Sequence, residues 1–128
     1  ALLYRKEIPI HRTYFHEIAA PARLAQNMKG FFEWARDPAN KKMHPVFLGC
    51  SIHYRLMRIF PFTHHTGKVA RLLGNLTLMR SGFPPAIIHS TERQNYYEAL
   101  RDGFDNLVLI VEGSLRDTML SNIGSYER

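Results

Sequence analysis

The sequence predicts a single all-α domain, and three observations favour it. The chain has 128 residues, enough for one domain and too few for two ordinary ones. Hydrophobic residues make up 45% of it and charged residues 22%, a balance typical of a folded domain with its own core. Through most of the chain, apolar residues recur at steps of three and four between Pro and Gly positions. This periodicity is that of amphipathic helices.

The overall charge and the cysteine content exclude several classes of protein. Seventeen Lys and Arg against eleven Asp and Glu give a net charge of +6, which favours anionic partners. Cys50 is the single cysteine, which excludes an intrachain disulfide framework and a cysteine-based zinc site. No apolar run approaches the roughly 20 residues of a membrane span, and no signal-peptide pattern opens the chain. We therefore expect residues 1–128 to be one cytoplasmic domain excised from a longer protein.

The first elements are expected to be a short hairpin and a helix. Residues 4–15 carry weak strand signals, and Pro9 argues for an edge hairpin over a central strand. Pro21 suits the first turn of a helix that reaches about Arg36. Its buried stripe is predicted to contain Leu24, Met28, Phe31 and Phe32.

Two helices and a tight loop are predicted next. Residues 45–59 are apolar on most of the helical surface, which indicates a central, nearly all-buried helix. Residues 60–67 form a loop bracketed by Pro and Gly, and a third helix follows over about 68–80. The core side of that third helix is predicted to contain Val69, Leu72, Leu73, Leu76 and Met79.

Two more helices complete the predicted fold. Ser90 or Thr91 is expected to cap the fourth helix, which ends at Asp102–Gly103. Asn106 is expected to cap the fifth. The inward residues of the fifth helix are predicted to be Leu107, Ile110, Val111, Leu115 and Met119.

The start of the third helix has the chemistry of an anion site. Free backbone N–H groups and the positive end of the helix dipole favour an anion beside Thr66, Gly67 and Lys68. Arg71 lies three residues after Lys68, so both cations are able to face the same anion. An ordinary helix start with two solvated cations is the alternative. The stretch is not a Walker loop, because the upstream glycine and the following Ser or Thr are missing.

The same stretch resembles the signature of the Fic (Fido) domain family. That signature is His-Pro-Phe, a variable residue, Asp or Glu, Gly-Asn-Gly, Arg or Lys, and a second Arg three residues later. Pro61, Phe62, Gly67, Lys68 and Arg71 match it, whereas Phe60 stands at the position of the catalytic histidine. The flanking segments that also follow the family are Tyr4-Arg5, Trp34, His44-Pro45-Val46, His53-Tyr54-Arg55, residues 80–85 and Tyr96-Tyr97.

The resemblance implies a fold, a ligand and a partner. It implies an all-α Fic-type bundle with a small β-hairpin flap, in which Tyr4, Arg5 and Ile8 dock a protein target. ATP is the implied nucleotide, with its phosphates on Thr66, Gly67, Lys68 and Arg71. Tyr96 and Tyr97 fall near the implied adenine pocket. The alternative that these two tyrosines close the core against Phe104 is equally favoured.

The departures from the signature predict impaired chemistry. Phenylalanine cannot accept a proton, so no catalytic residue is assigned at position 60. His64 replaces the acidic Mg²⁺ ligand, and a neutral imidazole is a poor ligand for this hard cation, so Mg²⁺ binding is expected to be weak or absent and no metal ligand is assigned. His65 adds a bulky ring where the family has glycine. We therefore expect lost or impaired AMP transfer, with ATP binding through Gly67, Lys68 and Arg71 as the retained property.

Two other functions stay open at this point. One is a non-catalytic protein-interaction module, in which the flap edge pairs with an extended segment of a partner. The other is nucleic-acid binding through basic residues of the hairpin, which is disfavoured because no recognised nucleic-acid-binding motif is present. ATP competition would support the nucleotide interpretation, and a steep loss of RNA or DNA binding with salt would support the last.

Overall fold

The computed structural model describes residues 4–9 and 16–127, with the side chains placed up to residue 124. The described part of the chain is helical and confirms the predicted all-α class. Its five α-helices are α1 (Leu24–Arg36), α2 (Pro45–Ile59), α3 (Thr66–Arg80), α4 (Arg93–Asp102) and α5 (Phe104–Glu127). Short 3₁₀ turns at Pro21–Arg23, Pro38–Lys42 and Ser90–Glu92 precede α1, α2 and α4.

Helix α2 is the centre of the bundle, as predicted. It packs against α3 along most of its length and also contacts α1 and α5, while α4 packs against α5. Its start follows from sequence chemistry, since Pro45 occupies the first helical position and His44 Nδ1 accepts a hydrogen bond from the Val46 N–H at 3.1 Å. Its buried residues are Val46, Gly49, Cys50, His53, Leu56 and Met57.

The predicted core face of α3 is wrong at three of its five residues, whereas Val69 and Leu73 are partly buried against the core. Leu72, Leu76 and Met79 are 66%, 42% and 55% exposed. The buried face consists of small residues and one leucine, namely Thr66, Gly67, Ala70, Gly74 and Leu78. Small residues on this face let the backbones of α2 and α3 approach closely, and hydrophobic periodicity does not detect them.

Two glycines form the closest approach of these helices. A Cβ atom on Gly49 would lie 3.0 Å from the carbonyl oxygen of Gly74, and a Cβ on Gly74 would lie 3.1 Å from that of Gly49. Both distances are shorter than ordinary van der Waals contact, and the opposing atom is backbone. The α2–α3 contact therefore fixes the position of the loop between the two helices.

Helix starts and outer faces also differ from the expectations. Thr91 lies in a 3₁₀ turn without a side-chain capping bond, and α5 begins at Phe104 instead of after Asn106. Phe32 and Met119, both expected inside, are 44% and 41% exposed.

None of the helices in the described residues is long and apolar enough to cross a membrane.

The predicted β-hairpin at residues 4–15 is not observed. Residues 10–15 lie outside the described residues, and residues 4–9 form bends with no strand. The Arg5 N–H donates to the carbonyl of Pro61 at 2.8 Å, so this backbone group bonds the loop after α2 instead of a neighbouring strand. The segment is thereby attached to the loop that carries the signature residues.

Candidate functional site

The α2–α3 loop, residues 60–65, is bounded by two residues in the left-handed conformation. Phe60 ends α2 at φ 51° and ψ 61°, and its N–H donates to the Leu56 carbonyl at 2.8 Å. His65 precedes α3 at φ 69° and ψ 13°. Among the described residues these are the two non-glycine positions with positive φ, a conformation that costs such residues of order 1–3 kcal/mol. Surrounding contacts must therefore hold the loop in this shape.

Thr66 supplies one of those contacts. It is buried, and its Oγ1 accepts a hydrogen bond from the Phe62 N–H at 3.1 Å and lies 3.2 Å from the Phe62 carbonyl oxygen, to which the hydroxyl donates. The hydroxyl thus closes the loop onto the start of α3. Because the hydroxyl is bonded to Phe62, the backbone N–H is the group of Thr66 that remains for the predicted phosphate contact.

Arg5 supplies the other contact. Its side chain is 3% exposed, and its Nε donates to the Phe60 carbonyl oxygen at 2.6 Å. Its other guanidinium nitrogens contact the carbonyls of Glu7, Ala19 and Ile59. The guanidinium joins the N-terminal segment to the end of α2, and its predicted part in target docking stays a prediction.

The other two predicted docking residues lie nearer to solvent. Tyr4 is half-buried, with its ring centroid 6.4 Å from that of Phe62. Ile8 is 62% exposed. Of the three, Ile8 is therefore the side chain most available to a partner.

The predicted anion-binding residues lie on the first turns of α3. Gly67 is buried, Lys68 is exposed and Arg71 is half-buried. The N–H groups of the first helical turn have no partner within the helix itself. The long side chain of Lys68 extends from the same turn, so a cation and the helix N-terminus lie together.

Arg71 lines a cavity of about 160 Å³ together with Tyr96 and Tyr97. We call this the Arg71 cavity; its remaining walls are Ile88 and Arg93. The structure thus places three predicted site residues on one cavity. Lys68 is not among its lining residues. The cavity combines two guanidinium groups with two aromatic rings, which suits a ligand with phosphates and a flat ring.

The sequence interpretation missed Arg93. It is the first residue of α4 and lies three residues before Tyr96, so both lie on the same helical face. That spacing is visible in the sequence. The missing information was the position of α4 against α3, which brings Arg93 to the same cavity as Arg71.

His53 is a hydrogen-bonded core residue, as expected from its place on α2. Its Nε2 lies 2.6 Å from the Tyr96 hydroxyl, and both side chains are buried. Burial, and to a smaller extent the charge of Arg71, lower the pKa of His53 to about 3. His53 is therefore neutral at pH 7. Tyr96 packs in the core and also lines the Arg71 cavity, while the Phe104 ring packs against Phe47 and Tyr54.

The buried His53 predicts that the fold weakens in mild acid. The pKa of His53 in the folded state lies below its ordinary value of 6.5. Below about pH 6.5 the unfolded chain therefore binds a proton at His53 that the folded chain does not bind. The free energy of unfolding should fall as the pH drops below about 6.5, by about 1–2 kcal/mol at pH ~5. Urea unfolding at pH ~6.5 and pH ~5 measures this decrease in the free energy of unfolding. The drop should shrink in His53→Gln and persist in His89→Gln, an exposed control. Equal drops in both variants would contradict the assignment.

The loop residues do not fit a magnesium site. His64 stands at the acidic position of the signature and is exposed, with its ring centroid 6.1 Å from that of His65. In the described segments no three His, Cys, Asp or Glu side chains group closely enough to hold a metal ion. Mg²⁺ sites in proteins usually include a carboxylate ligand, and residues 60–65 contain neither Asp nor Glu.

Comparison with known proteins decides the family. The family model for the Fic/DOC family matches residues 3–78, more than half of the chain. The chain belongs to the Fic/DOC family. The matched residues include α1, α2, the α2–α3 loop and most of α3, so the Fic domain contains the whole of the altered signature.

Named relatives agree with the assignment. The chain is 42% identical over 85 residues to a protein adenylyltransferase Fic of Nematostella vectensis. This match covers 66% of this chain and 20% of the relative. A Drosophila ananassae protein adenylyltransferase Fic is 40% identical over 86 residues, 67% of this chain and 17% of the relative. The chain thus spans about one fifth of the length of these relatives.

Solved structures share the fold. Fic-1 of C. elegans (residues 134–508) superposes with a TM-score of 0.72 at 31% identity, covering 83% of this chain and 33% of that one. A variant of IbpAFic2 in complex with adenylylated Cdc42 gives a TM-score of 0.72 at 19% identity, covering 92% and 41%. The second likeness shows the fold alone.

Proposed function

We propose that this Fic domain binds a nucleotide such as ATP but has lost, or nearly lost, transfer of AMP to protein. The observation that carries the proposal is the Arg71 cavity, which joins two guanidinium groups and two tyrosines. It lies in a domain whose α2–α3 loop has a buried phenylalanine at the position of the family's general base. The relatives named as protein adenylyltransferases support this class of chemistry as the ancestral activity.

The loss of transfer follows from the environment of Phe60. Its ring is 8% exposed and meets the His16 ring edge-on, with centroids 6.1 Å apart. The phenyl ring accepts no proton, and the neighbouring His16 is 1% exposed and so closed to a target hydroxyl. His64 and His65 lie four and five residues farther along, at the α3 end of the loop, a shift that rarely preserves the geometry of a base. Loss of a general base alone costs about 10²–10⁴-fold in rate.

Retained nucleotide binding follows from the groups that remain. The first-turn N–H groups of α3 and the Lys68 ammonium suit phosphate oxygens. Arg71 and Arg93 are suited to charge-assisted hydrogen bonds at the cavity, and the half-buried Tyr97 lines the same cavity with an aromatic ring. Because the loop lacks a carboxylate ligand, binding is expected to depend little on Mg²⁺.

A non-catalytic interaction module is the second candidate function. Ile8 is 62% exposed beside exposed Lys6 and Glu7, which is the surface an extended target would meet. The IbpAFic2 variant in complex with adenylylated Cdc42 supports a protein as the kind of partner. The two functions are compatible, and nucleotide binding distinguishes a bifunctional domain from a pure scaffold.

Calorimetric titration of ATP, with and without Mg²⁺, tests the proposal. Lys68→Ala and Arg71→Ala should each weaken binding by at least about tenfold, since each removes a charge-assisted contact worth about 1.5–3 kcal/mol. Arg80→Ala, which removes an exposed cation from the other end of α3, should change it less than about twofold. Mg²⁺ should shift the affinity less than about threefold. No heat with wild-type protein would refute nucleotide binding and leave the interaction module.

A further inference from the structure

A second recess, larger than the Arg71 cavity, lies between α1 and α2. It has a volume of about 1000 Å³ and ends at Phe104, the first residue of α5. We call it the α1–α2 groove; residues that decide its chemistry are Lys29, Gly30, Tyr54, Arg55, Arg58 and Phe104. It shares no lining residue with the Arg71 cavity. We propose that the α1–α2 groove binds an extended acidic segment of a partner protein, with carboxylates on Arg55 and Arg58.

The two arginines are held in place before any ligand arrives. The Arg55 guanidinium lies 4.0 Å from the centroid of the Trp34 ring, a cation–π contact. The Arg58 guanidinium lies 5.0 Å from the Tyr54 ring and donates from Nη2 to the Tyr54 hydroxyl at 2.6 Å. Fixed side chains lose less conformational entropy on binding than free ones.

Arg58 also has unused hydrogen-bonding capacity. Its Nε is inaccessible to water and has no acceptor among the described residues. Guanidinium groups bind carboxylates through two parallel N–H groups, and burial strengthens such bonds. Because the Nε itself is closed to solvent, a ligand carboxylate would bond the Nη groups of Arg58, which lines the groove.

Charge complementarity selects an acidic ligand. Lys29, Arg55 and Arg58 line the groove, against Glu33 as its one carboxylate. Phe31 and Phe104 add apolar surface. This volume exceeds what one phosphate or carboxylate fills, so the matching ligand is a peptide that alternates carboxylate and apolar side chains.

Gly30 on α1 supports the same conclusion. A glycine inside a helix is less stable than alanine at the same position. A Cβ atom at Gly30 would meet nothing within 4 Å, so close packing does not account for it. Gly30 lines the groove, and because it has no side chain, a ligand backbone has room to lie close to α1 there.

Fluorescence anisotropy with a labelled peptide tests the proposal. The probe is a fluorescein-labelled peptide of alternating glutamate and phenylalanine, and its counterpart has lysine for glutamate. Wild-type protein should bind the acidic probe and not the lysine peptide. Gly30→Glu should weaken binding about tenfold by placing a carboxylate opposite the arginines, whereas Gly30→Gln, of equal size, should weaken it less than about threefold. Both replace a helical glycine, so neither should lower the thermal midpoint.

Removal of the cations gives an independent reading. Arg55→Gln should weaken binding of the acidic probe about fivefold. Arg80→Gln, the same change at an exposed site of α3, should change the affinity for the probe less than about twofold. Equal binding by Gly30→Glu and Gly30→Gln would overturn the proposal. So would displacement of the probe by polyuridylate or ATP at lower concentrations than by unlabelled peptide, since the groove would then be a nucleic-acid or nucleotide site.

Discussion

Arg5→Ala should lower the free energy of unfolding by about 3 kcal/mol. The guanidinium is 3% exposed and bonds backbone carbonyls of the N-terminal segment and the end of α2, including that of Phe60. Alanine would remove the donor from the buried Phe60 carbonyl and from part-buried carbonyls beside it, and an unsatisfied buried acceptor costs about 1–3 kcal/mol. Urea unfolding followed by circular dichroism measures the change.

A neighbouring residue provides the control for Arg5. Lys6→Ala removes an exposed cation from the same segment and should change the free energy of unfolding by less than about 0.5 kcal/mol. The Arg5 substitution should also increase hydrogen exchange at the Phe60 and Phe62 amides, since the α2–α3 loop loses its support. A loss in Arg5→Ala no larger than in Lys6→Ala would contradict this structural role.

Repair of the loop should restore AMP transfer by at least about 100-fold over the wild-type chain. The repaired variant combines Phe60→His, His64→Asp and His65→Gly. The first supplies a proton acceptor, the second a carboxylate suited to Mg²⁺, and the third a residue that adopts the positive φ of 69° without strain. Thr66 is kept, because its hydroxyl closes the loop on Phe62. Incorporation of label from ATP labelled at the α-phosphate measures transfer.

Two further variants show which part of the repair matters. Phe60→His alone should gain less than the combined variant, because the phosphate and metal positions remain altered. Addition of Lys68→Ala to the combined variant should remove the gain, since Lys68 lies at the predicted phosphate position. Restoration that is unaffected by Lys68→Ala would contradict the phosphate role of this residue.

The helices that proline delimits could be predicted closely from sequence. Pro45 fixes the start of α2 and Pro61 its end, since proline suits a first helical turn and does not continue a helix, and the structure has α2 at Pro45–Ile59. The core face of α3 could not be predicted in the same way. Leu72 and Leu76 carry the apolar pattern, but Gly74 faces α2, because the close approach to Gly49 requires a residue without a side chain.

The candidate site was predictable where it is local and not where it depends on distant contacts. Gly67 and Lys68 follow from the sequence of one loop and one helix start. The role of Arg5 depends on carbonyls 54 and 55 residues away, which no pattern around position 5 indicates. Arg93 reaches the Arg71 cavity only through the packing of separate helices.

The most direct test of the central claim is the rate of AMP transfer by the wild-type chain once ATP binding has been measured. The protein is incubated at saturating ATP labelled at the α-phosphate, with Mg²⁺ and the proteins of a cell extract, beside a Fic domain with an intact signature. We expect bound ATP and a transfer rate at least about 100-fold below that of the intact domain. Transfer within about tenfold of the intact domain would contradict it, because another group would then serve as the base that Phe60 cannot be.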